Sequence, residues 1–405
     1  MKNNLLYFWE DKLKSRINKK IELNDETLRD GLQATYVKHP KLTQKIKFIE
    51  TADKLGITSI NIGFPVSGER EKKEIIEIAN YAKKAKLKIK LECGGRMLKD
   101  DVKAIIDVSQ KTGVPIETGL FIASSKIRHI VEKWDIKQMG KLIQESVKLA
   151  TDNNLEVMFV SEDTSRSHPK TIEYLYKKAI DSGATRLCIT DTVGQATPKS
   201  TYNLVRFVKT KIVKNNKKIK LDWHGHNDRG LALANALAAI SAGADCIQAT
   251  ALGIGERTGN TAMEEIIMNL YLEGLSDINL KYLVDYSKIA SKILKIGIKP
   301  NAPIIGRDIF KTATGVHAAA IKKAVDQNND FLVGNVYSSI DPVILGRSHE
   351  ILIGPISGRA NVEWYLKQIN VKATPELIKI ILEKAKLEKK LLSKSDILTL
   401  VKSKS

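Results

Sequence analysis

Two histidines, two residues apart, are the clearest chemical feature of the sequence. His224 and His226 lie in the run 221–227 (LDWHGHN), whose residue pattern predicts a β-strand. Side chains two apart on a strand point to the same side, so both imidazoles would face one point. Such a pair could chelate a metal ion, since imidazole is the commonest metal ligand in proteins, or it could be two hydrogen-bonded polar residues at a strand end.

The elements that would position this pair follow a repeated β-then-α pattern. Eight short runs have strand character: 21–24, 59–64, 88–93, 116–123, 155–161, 186–190, 219–226 and 246–252. Stretches with helical spacing of apolar residues separate them: 42–55, 69–85, 102–112, 136–153, 170–182, 199–214 and 231–242. Eight such units predict an α/β fold, a (β/α)8 TIM barrel. An open doubly wound sheet is disfavoured because no glycine-rich phosphate fingerprint follows the first strand.

Polar side chains cluster where the predicted strands run into the following loops. Strands one, five, six, seven and eight are followed by charged or metal-binding residues: 25–31 (DETLRDG), 162–163 (ED), 191–192 (DT), 226–228 (HND) and 253–260 (GIGERTGN). Catalytic residues of TIM barrels lie at this end of the strands. Caps of helix N-termini would explain Asp163 and Asp228, but not Arg29 or the histidine pair.

Composition restricts the classes of protein and partner. With 405 residues, 43% of them hydrophobic, the chain can form a large domain with a further unit appended. The net charge of +20 favours small anionic ligands, but no basic block is interleaved with aromatic residues, so nucleic-acid binding is not expected. No apolar run is long enough for a membrane span, and three widely spaced cysteines predict buried, reduced thiols. We therefore expect a soluble cytoplasmic protein.

Three motifs together resemble a known family. The runs 25–31 (DETLRDG), 224–228 (HGHND) and 253–260 (GIGERTGN) are similar, in order and position, to the signatures of the DRE-TIM metallolyase superfamily. The third resembles the motif of its acyl-CoA synthase branch, the 2-isopropylmalate, homocitrate and citramalate synthases. The resemblance extends over essentially the whole chain and is closest to a short 2-isopropylmalate synthase.

The resemblance implies particular site residues and cofactors. Arg29 would face the reacting carbonyl as a catalytic residue, a divalent ion (Mg2+, Mn2+ or Zn2+) would be bound, and acetyl-CoA would be the co-substrate. The implied metal ligands are Asp30, His224, His226 and Asn260, and the positions around the substrate are Gln33, Thr192 and the catalytic candidate Glu162. Without the family pattern, an ion pair would explain Asp30, and a turn or helix cap would explain Asn260.

The implied chemistry suits these residue types. A Claisen-type condensation must acidify the methyl group of an acetyl thioester and polarise the carbonyl of a 2-oxo acid, and a divalent ion can achieve the second. Arg29 could stabilise the developing negative charge. The predicted activity is an acyltransferase of amino-acid biosynthesis that condenses acetyl-CoA with a 2-oxo acid. The expected acceptor is 3-methyl-2-oxobutanoate, which would place the enzyme in leucine biosynthesis.

A second unit is expected after the barrel, which we predict to span 1–285. Residues 286–405 would form a linker, broken by Pro300 and Pro303, and a small, mostly helical C-terminal subdomain. The run 310–317 (FKTATGVH) and the segment from Tyr337 to residue 346 resemble synthase motifs of a subdomain that reaches the partner subunit's active site. The resemblance makes His317 a proton-transfer candidate and Tyr337 a catalytic candidate in a homodimer. The segment after Tyr337 is short, so leucine feedback through a regulatory domain is not expected.

Several positions depart from the synthase pattern. Leu32 stands where many synthases have glutamate, and the resulting RDGLQ is also typical of 3-hydroxy-3-methylglutaryl-CoA lyases. Ser338 replaces a common glutamate, Pro355-Ile356 replace Lys-His, and Arg128 stands where many synthases have a histidine. A homocitrate or citramalate synthase, or a carbon–carbon lyase on the same metal site, is therefore the alternative. The third motif and the C-terminal subdomain favour a synthase, since a lyase needs neither.

Overall fold

The structure, a computed structural model, describes residues 5–7, 9, 17, 19–214 and 216–403. The described residues form two compact units: the first lies within 9–298, and the second combines 299–403 with residues 5–7. The domain boundary expected after residue 285 stays a prediction. Among the described residues, no helix combines the length and the apolar composition that crossing a membrane requires.

Eight parallel strands form the closed barrel of the first unit. They are hydrogen-bonded in chain order, and β8 pairs with β1. Their bounds are β1 Glu22–Asp25, β2 Ser59–Asn61, β3 Lys90–Arg96, β4 Ile116–Ala123, β5 Val157–Glu162, β6 Arg186–Asp191, β7 Lys220–Gly225 and β8 Cys246–Ala249. The (β/α)8 barrel predicted from the sequence is confirmed. The main difference is in length, since β2 ends at Asn61 and β8 at Ala249.

Helices follow the strands and bury their apolar faces. They are α1 Leu42–Leu55, α2 Glu69–Ala85, α3 Lys99–Thr112, α4 Lys126–Glu132, α5 Ile136–Thr151, α6 Pro169–Asp181, α7 Pro198–Phe207, α8 Ala232–Ala242, α9 Met263–Leu272 and α10 Leu283–Leu294. Helix α4 was not predicted, because seven residues are too few for a clear helical periodicity. The helix predicted over 199–214 is α7 followed by a π-helical segment, Val208–Val213.

A buried guanidinium joins four strands at the amino-terminal end of the barrel. Arg186 donates to Glu117, Asp222 and Glu22, each at 2.9 Å. The arginine is on β6, and its partners are on β4, β7 and β1. These groups fill the interior at the starts of the strands, so a cavity for a ligand must lie towards the opposite, carboxyl ends.

The second unit is mostly helical, as predicted. It contains a two-stranded parallel sheet, β9 Lys311–Thr312 and β10 Glu350–Ile351. Its helices are α11 Gly315–Asp326, α12 Asp330–Asn335, α13 Arg359–Gln368, α14 Pro375–Glu388 and α15 Lys394–Lys402. Residues of α13, α14 and α15, among them Leu366, Ile381 and Ile397, form its largest described core.

The Arg186 network predicts a large loss of stability when its cation is removed. Arg186→Met should lower the free energy of unfolding by about 3–5 kcal/mol, because it leaves buried carboxylates without their partner. Chemical denaturation followed by circular dichroism measures the change. Lys148→Met is the control, since it removes the exposed Lys148–Asp152 pair (3.1 Å) and should cost less than about 1 kcal/mol. Equal stability of the two variants would contradict a structural role for the network.

Candidate active site

A cavity of about 200 Å³ opens at the carboxyl ends of the barrel strands. Most of the site residues predicted from the sequence line it, with contributions from β1, β5, β6 and β7 or the loops that follow them: Arg29, Asp30, Gln33, Glu162, Thr192, His224 and His226. A larger groove of about 490 Å³ lies near the starts of β3 and β4. The described residues that line this groove do not include Asp30, His224 or His226, the side chains that could bind a metal ion. We therefore assign the candidate active site to the smaller cavity.

Three ligand atoms meet in this cavity. The Nε2 atoms of His224 and His226 are 3.3 Å apart. Asp30 Oδ2 lies 3.3 Å from the first and 3.4 Å from the second. All three side chains are buried, and they form the one group of three or more metal-ligating His, Cys, Asp or Glu side chains found among the described residues. The strand geometry predicted for the histidine pair therefore holds, and the loop after β1 adds a carboxylate.

The spacing of these atoms fits a shared metal ion. Metal–ligand bonds of about 2.0–2.2 Å place neighbouring ligands of one ion roughly 2.8–3.6 Å apart. Hydrogen bonds between an imidazolium and a carboxylate would be shorter, about 2.7–2.9 Å. The separations of 3.3–3.4 Å therefore fit coordination better than a hydrogen-bonded Asp–His pair. The alternative of two hydrogen-bonded histidines is correspondingly weaker.

Asn260 offers a fourth ligand atom. Its Oδ1 is buried and has no hydrogen-bond partner in the described part of the chain, whereas its Nδ2 donates to the carbonyl of Ile254 at 3.0 Å. This arrangement fixes the amide so that the oxygen stays available. Asn260 is bridged to His226 through the backbone. A buried acceptor without a donor is costly, so the observation fits an oxygen that binds a cation.

The loop between β8 and Asn260 depends on a glycine. A Cβ on Gly255 would lie 2.2 Å from Asn260 Nδ2 and 2.8 Å from Asp30 Oδ1. Gly255 also has a φ of +149°, which side-chain-bearing residues rarely adopt. The glycine therefore lets the amide and the carboxylate approach from its two sides, which explains its position within GIGERTGN.

The charges around the cluster favour a cation. Arg29 Nε donates to Glu26 at 2.5 Å, and Arg29 Nη1 lies 3.5 Å from Asp30 Oδ2, so one guanidinium faces two carboxylates. Burial raises the pKa of Asp30, but Arg29, His224 and His226 outweigh burial and hold this pKa well below its usual value. Asp30 is therefore ionised, and a bound cation would compensate the remaining negative charge.

Glu162 is held by Arg128, the residue that departs from the synthase pattern. The Arg128 guanidinium donates to Glu162 Oε1 and, at 3.1 Å, to Glu132. Burial raises the pKa of Glu162 above its usual value, although the charge of Arg128 opposes the shift. The substitution noticed in the sequence thus contacts a candidate catalytic residue.

Gln33 and Thr192 both line the cavity. Thr192 Oγ1 accepts the backbone N–H of Asp163 at 2.9 Å, and the Thr192 carbonyl accepts Arg257 Nη2 at 2.5 Å. Arg257 Nε also donates to Asp228 at 2.8 Å. The arginine of the third motif therefore connects the loops that follow β6, β7 and β8.

The remaining two predicted residues lie in the second unit and contact each other. The rings of His317 and Tyr337 stack, with centroids 3.8 Å apart and an angle of 26° between the ring planes. His317 is in the first turn of α11, and Tyr337 lies just after α12. The structure brings these two candidates together, and their catalytic roles stay predictions.

Sequence reasoning missed several polar residues of the cavity, among them Glu26, Asn61 and Glu92. Asn61 Nδ2 lies 3.1 Å from Glu92 Oε1 and 3.4 Å from Glu26 Oε1, and Glu26 in turn pairs with Arg29. The signal in the sequence was weak, because Glu92 alternates with apolar residues in 88–93 (KIKLEC) as the two lysines of that run do, which is the pattern of a strand with one exposed face. A charged residue inside a barrel strand is costly to bury and is therefore a candidate for function.

Comparison with known proteins identifies relatives of this site. The HMGL-like family profile matches residues 20–291. The 2-isopropylmalate synthase of Pyrococcus abyssi is 33% identical over 91% of this chain and 74% of its own. The homocitrate synthase AksA of Methanopyrus kandleri is 32% identical over 89% of this chain and 86% of its own. Among solved structures, hydroxymethylglutaryl-CoA lyase from Pseudomonas aeruginosa superimposes with a TM-score of 0.58, at 22% identity over 68% of this chain and 93% of its own, and shows the shared fold.

The ligand geometry predicts metal binding that depends on His226. Mn2+ should bind the purified protein. Loss of the hydrogen-bond partner of a metal ligand weakens metal binding by roughly 10–100-fold. His226→Ala removes a ligand itself, so it should weaken Mn2+ binding by more than that. Isothermal titration calorimetry at neutral pH measures both affinities. His39→Ala removes an exposed histidine outside the cavity and should bind Mn2+ like the unaltered protein. Undiminished affinity in His226→Ala would contradict the site.

Proposed function

The chain belongs to the HMGL-like family, and we propose that it is an acyltransferase that condenses acetyl-CoA with a 2-oxo acid. The observation that carries the proposal is the buried group of Asp30, His224 and His226 in a cavity that also contains Arg29. Relatives that cover about nine-tenths of the chain are synthases by name and include a 2-isopropylmalate synthase and a homocitrate synthase. Their reactions share an acetyl-CoA donor and differ in the 2-oxo acid acceptor.

The roles of the residues follow from their chemistry. Asp30, His224, His226 and Asn260 would hold a divalent ion, which when bound polarises the carbonyl of the 2-oxo acid. Arg29 is held by Glu26 and presents its remaining N–H groups to the cavity, where they can stabilise an oxygen that gains negative charge.

Glu162 is the candidate for moving a proton within the barrel. Its raised pKa brings a carboxyl group closer to the range in which it can exchange protons near neutral pH. Arg128 fixes one oxygen of the carboxyl group. The other oxygen can face the substrate.

The acceptor expected from the sequence, 3-methyl-2-oxobutanoate, stays a prediction, and with it the place in leucine biosynthesis. The side chains of Phe64, Phe121, Met158 and Val160 line the cavity and would pack against an alkyl group. Glu92 lines the same cavity.

The proposal also includes an oligomeric state, because it assigns a role to a histidine of the second unit. We propose that His317, stacked on Tyr337, serves proton transfer in the active site of a partner subunit, which makes the enzyme a homodimer. An imidazole suits this role because its ordinary pKa is near neutrality. The cytoplasmic location and the absence of nucleic-acid and membrane partners also stay predictions.

Release of CoA tests the reaction. Acetyl-CoA with a panel of 2-oxo acids should yield free thiol, detected with a thiol reagent, and EDTA should abolish the release until a divalent ion is restored. Full turnover by metal-stripped protein would contradict the proposed role of the ion. Cleavage of 3-hydroxy-3-methylglutaryl-CoA without any condensation would instead support the lyase alternative.

The role of Arg29 predicts an effect on turnover more than on affinity. Arg29→Lys should lower kcat by about 10²–10³, because an ammonium group cannot reproduce the planar donor geometry at a developing oxyanion. KM for the 2-oxo acid should change much less. Steady-state kinetics separate the two constants, and Arg206→Lys on the exposed surface of α7 is the control. An unchanged kcat in Arg29→Lys would remove Arg29 from the chemistry.

Shared active sites predict complementation between two inactive variants. His226→Ala and His317→Ala should each be nearly inactive, one because it lacks a metal ligand and the other because it lacks a proton-transfer group. When the two are coexpressed, a mixed dimer contains one site with both wild-type side chains. Activity should therefore return in the purified mixture.

The control for complementation is coexpression of two differently tagged copies of His226→Ala, which should recover nothing. If His317 acted within its own chain, neither site of the mixed dimer would be whole. Absence of recovery in mixed dimers isolated by both tags would then contradict the shared site.

A further inference from the structure

Glu92 is a buried acidic residue of the cavity to which the proposed reaction assigns no role. It lies on β3 and is 1% exposed, and it lines the same cavity as the three metal-ligating side chains. A carboxyl group inside a barrel is costly to bury unless hydrogen bonds or a ligand compensate it. Its position therefore requires a reason.

The neighbouring strand makes room for this carboxyl group. Gly94 on β3 pairs with Gly119 on β4, and a Cβ on Gly119 would lie 2.5 Å from Glu92 Oε1 and 3.5 Å from the terminal methyl group of Met158. Any other residue at 119 would displace the carboxyl group. The glycine thus permits Glu92 to extend over β4, next to the side chain of Met158.

Polar neighbours support the carboxyl group inside the barrel. Glu92 Oε2 accepts Asn24 Nδ2 at 2.5 Å, and Oε1 accepts Asn61 Nδ2 at 3.1 Å. Burial and the negative charges of Glu26 and Glu117 raise the pKa of Glu92 well above its usual value. Each carboxyl oxygen has two lone pairs, so the group can still accept a further hydrogen bond from a ligand.

The charged residues of the cavity disfavour an acceptor with a second carboxylate. Among the described residues that line the cavity, Arg29 carries the only permanent positive charge, and it is paired with Glu26. A second carboxylate on the acceptor would therefore meet carboxyl groups without a free cation to compensate it. A neutral hydroxyl group would meet no such penalty.

We propose, resting on the function proposed above, that Glu92 determines acceptor specificity by making the base of the cavity polar. The acceptor class is a 2-oxo acid whose side chain carries a neutral hydrogen-bonding group, used in preference to an alkyl acceptor of the same size. The aromatic and aliphatic lining holds the carbon chain, and Glu92 meets the polar end. Such a site discriminates against the analogue that lacks the hydroxyl group, because the hydrogen bond between the acceptor and Glu92 is then lost.

A pair of size-matched acceptors tests the inference. The pair is 4-hydroxy-2-oxobutanoate and 2-oxopentanoate, which differ only in a terminal hydroxyl or methyl group. With the unaltered holoenzyme, kcat/KM for CoA release should favour the hydroxyl acceptor by about tenfold or more. Glu92→Met should remove this preference, whereas Glu92→Gln, which keeps a donor and an acceptor, should retain it. A preference for 2-oxopentanoate in the unaltered enzyme, or one that Glu92→Met leaves unchanged, would overturn the inference.

Control variants separate this inference from loss of folding and from failure of the proposed function. Glu145→Gln alters an exposed acid of α5 that does not line the cavity, and it should leave the ratio of the two kcat/KM values unchanged. Circular dichroism checks each fold; if Glu92→Met does not fold, the preference of the unaltered enzyme and of Glu92→Gln decides. Turnover of both acceptors without preference overturns only the role of Glu92. No CoA release with any 2-oxo acid overturns the proposed function as well.

Discussion

A buried, ionised carboxylate is the constraint on which the rest of the site depends. Asp30 is buried. Arg29 and two imidazoles, whose Nε2 atoms lie 3.3 and 3.4 Å from its Oδ2, stabilise its negative charge. Such a group is stable only when positive charge and hydrogen bonds surround it. Arg29 is also paired with Glu26, so it cannot compensate Asp30 fully. The electrostatics and the Asn260 oxygen, which has no hydrogen-bond partner among the described residues, both fit the proposed cation site.

The barrel provides this arrangement by bringing distant segments together. The ligands come from the loops after β1 and β8 and from the end of β7, and strand pairing between β7, β8 and β1 makes these segments neighbours. At the other end, the carboxylates around Arg186 join β1, β4, β6 and β7. The interior is therefore polar at both ends for different reasons. At one end a guanidinium bonds directly to the carboxylates, and at the other end a cavity lies beside Asp30 and the histidine pair, where a cation could bind.

The features predictable from the sequence were those encoded locally. Eight repeats of strand and helix patterns predict the barrel, and the spacing of His224 and His226 predicts that their side chains point together. Contacts between different elements were not predictable in this way. The pairing of Arg128 on α4 with Glu162 depends on how a helix packs beside β5. The extension of Glu92 over Gly119 depends on the register of β3 and β4 and on the missing side chain at 119. No single segment of the sequence contains this information.

Anomalous diffraction from crystals grown with Mn2+ tests the central claim most directly. The account predicts one strong peak in the anomalous difference map, about 2.0–2.3 Å from His224 Nε2, His226 Nε2 and Asp30 Oδ2, with Asn260 Oδ1 completing the set of protein ligands. A map without a peak at this position, or with manganese bound only elsewhere, would contradict the account. In that case the three side chains would form a hydrogen-bonded cluster, and the proposed chemistry would lose its basis.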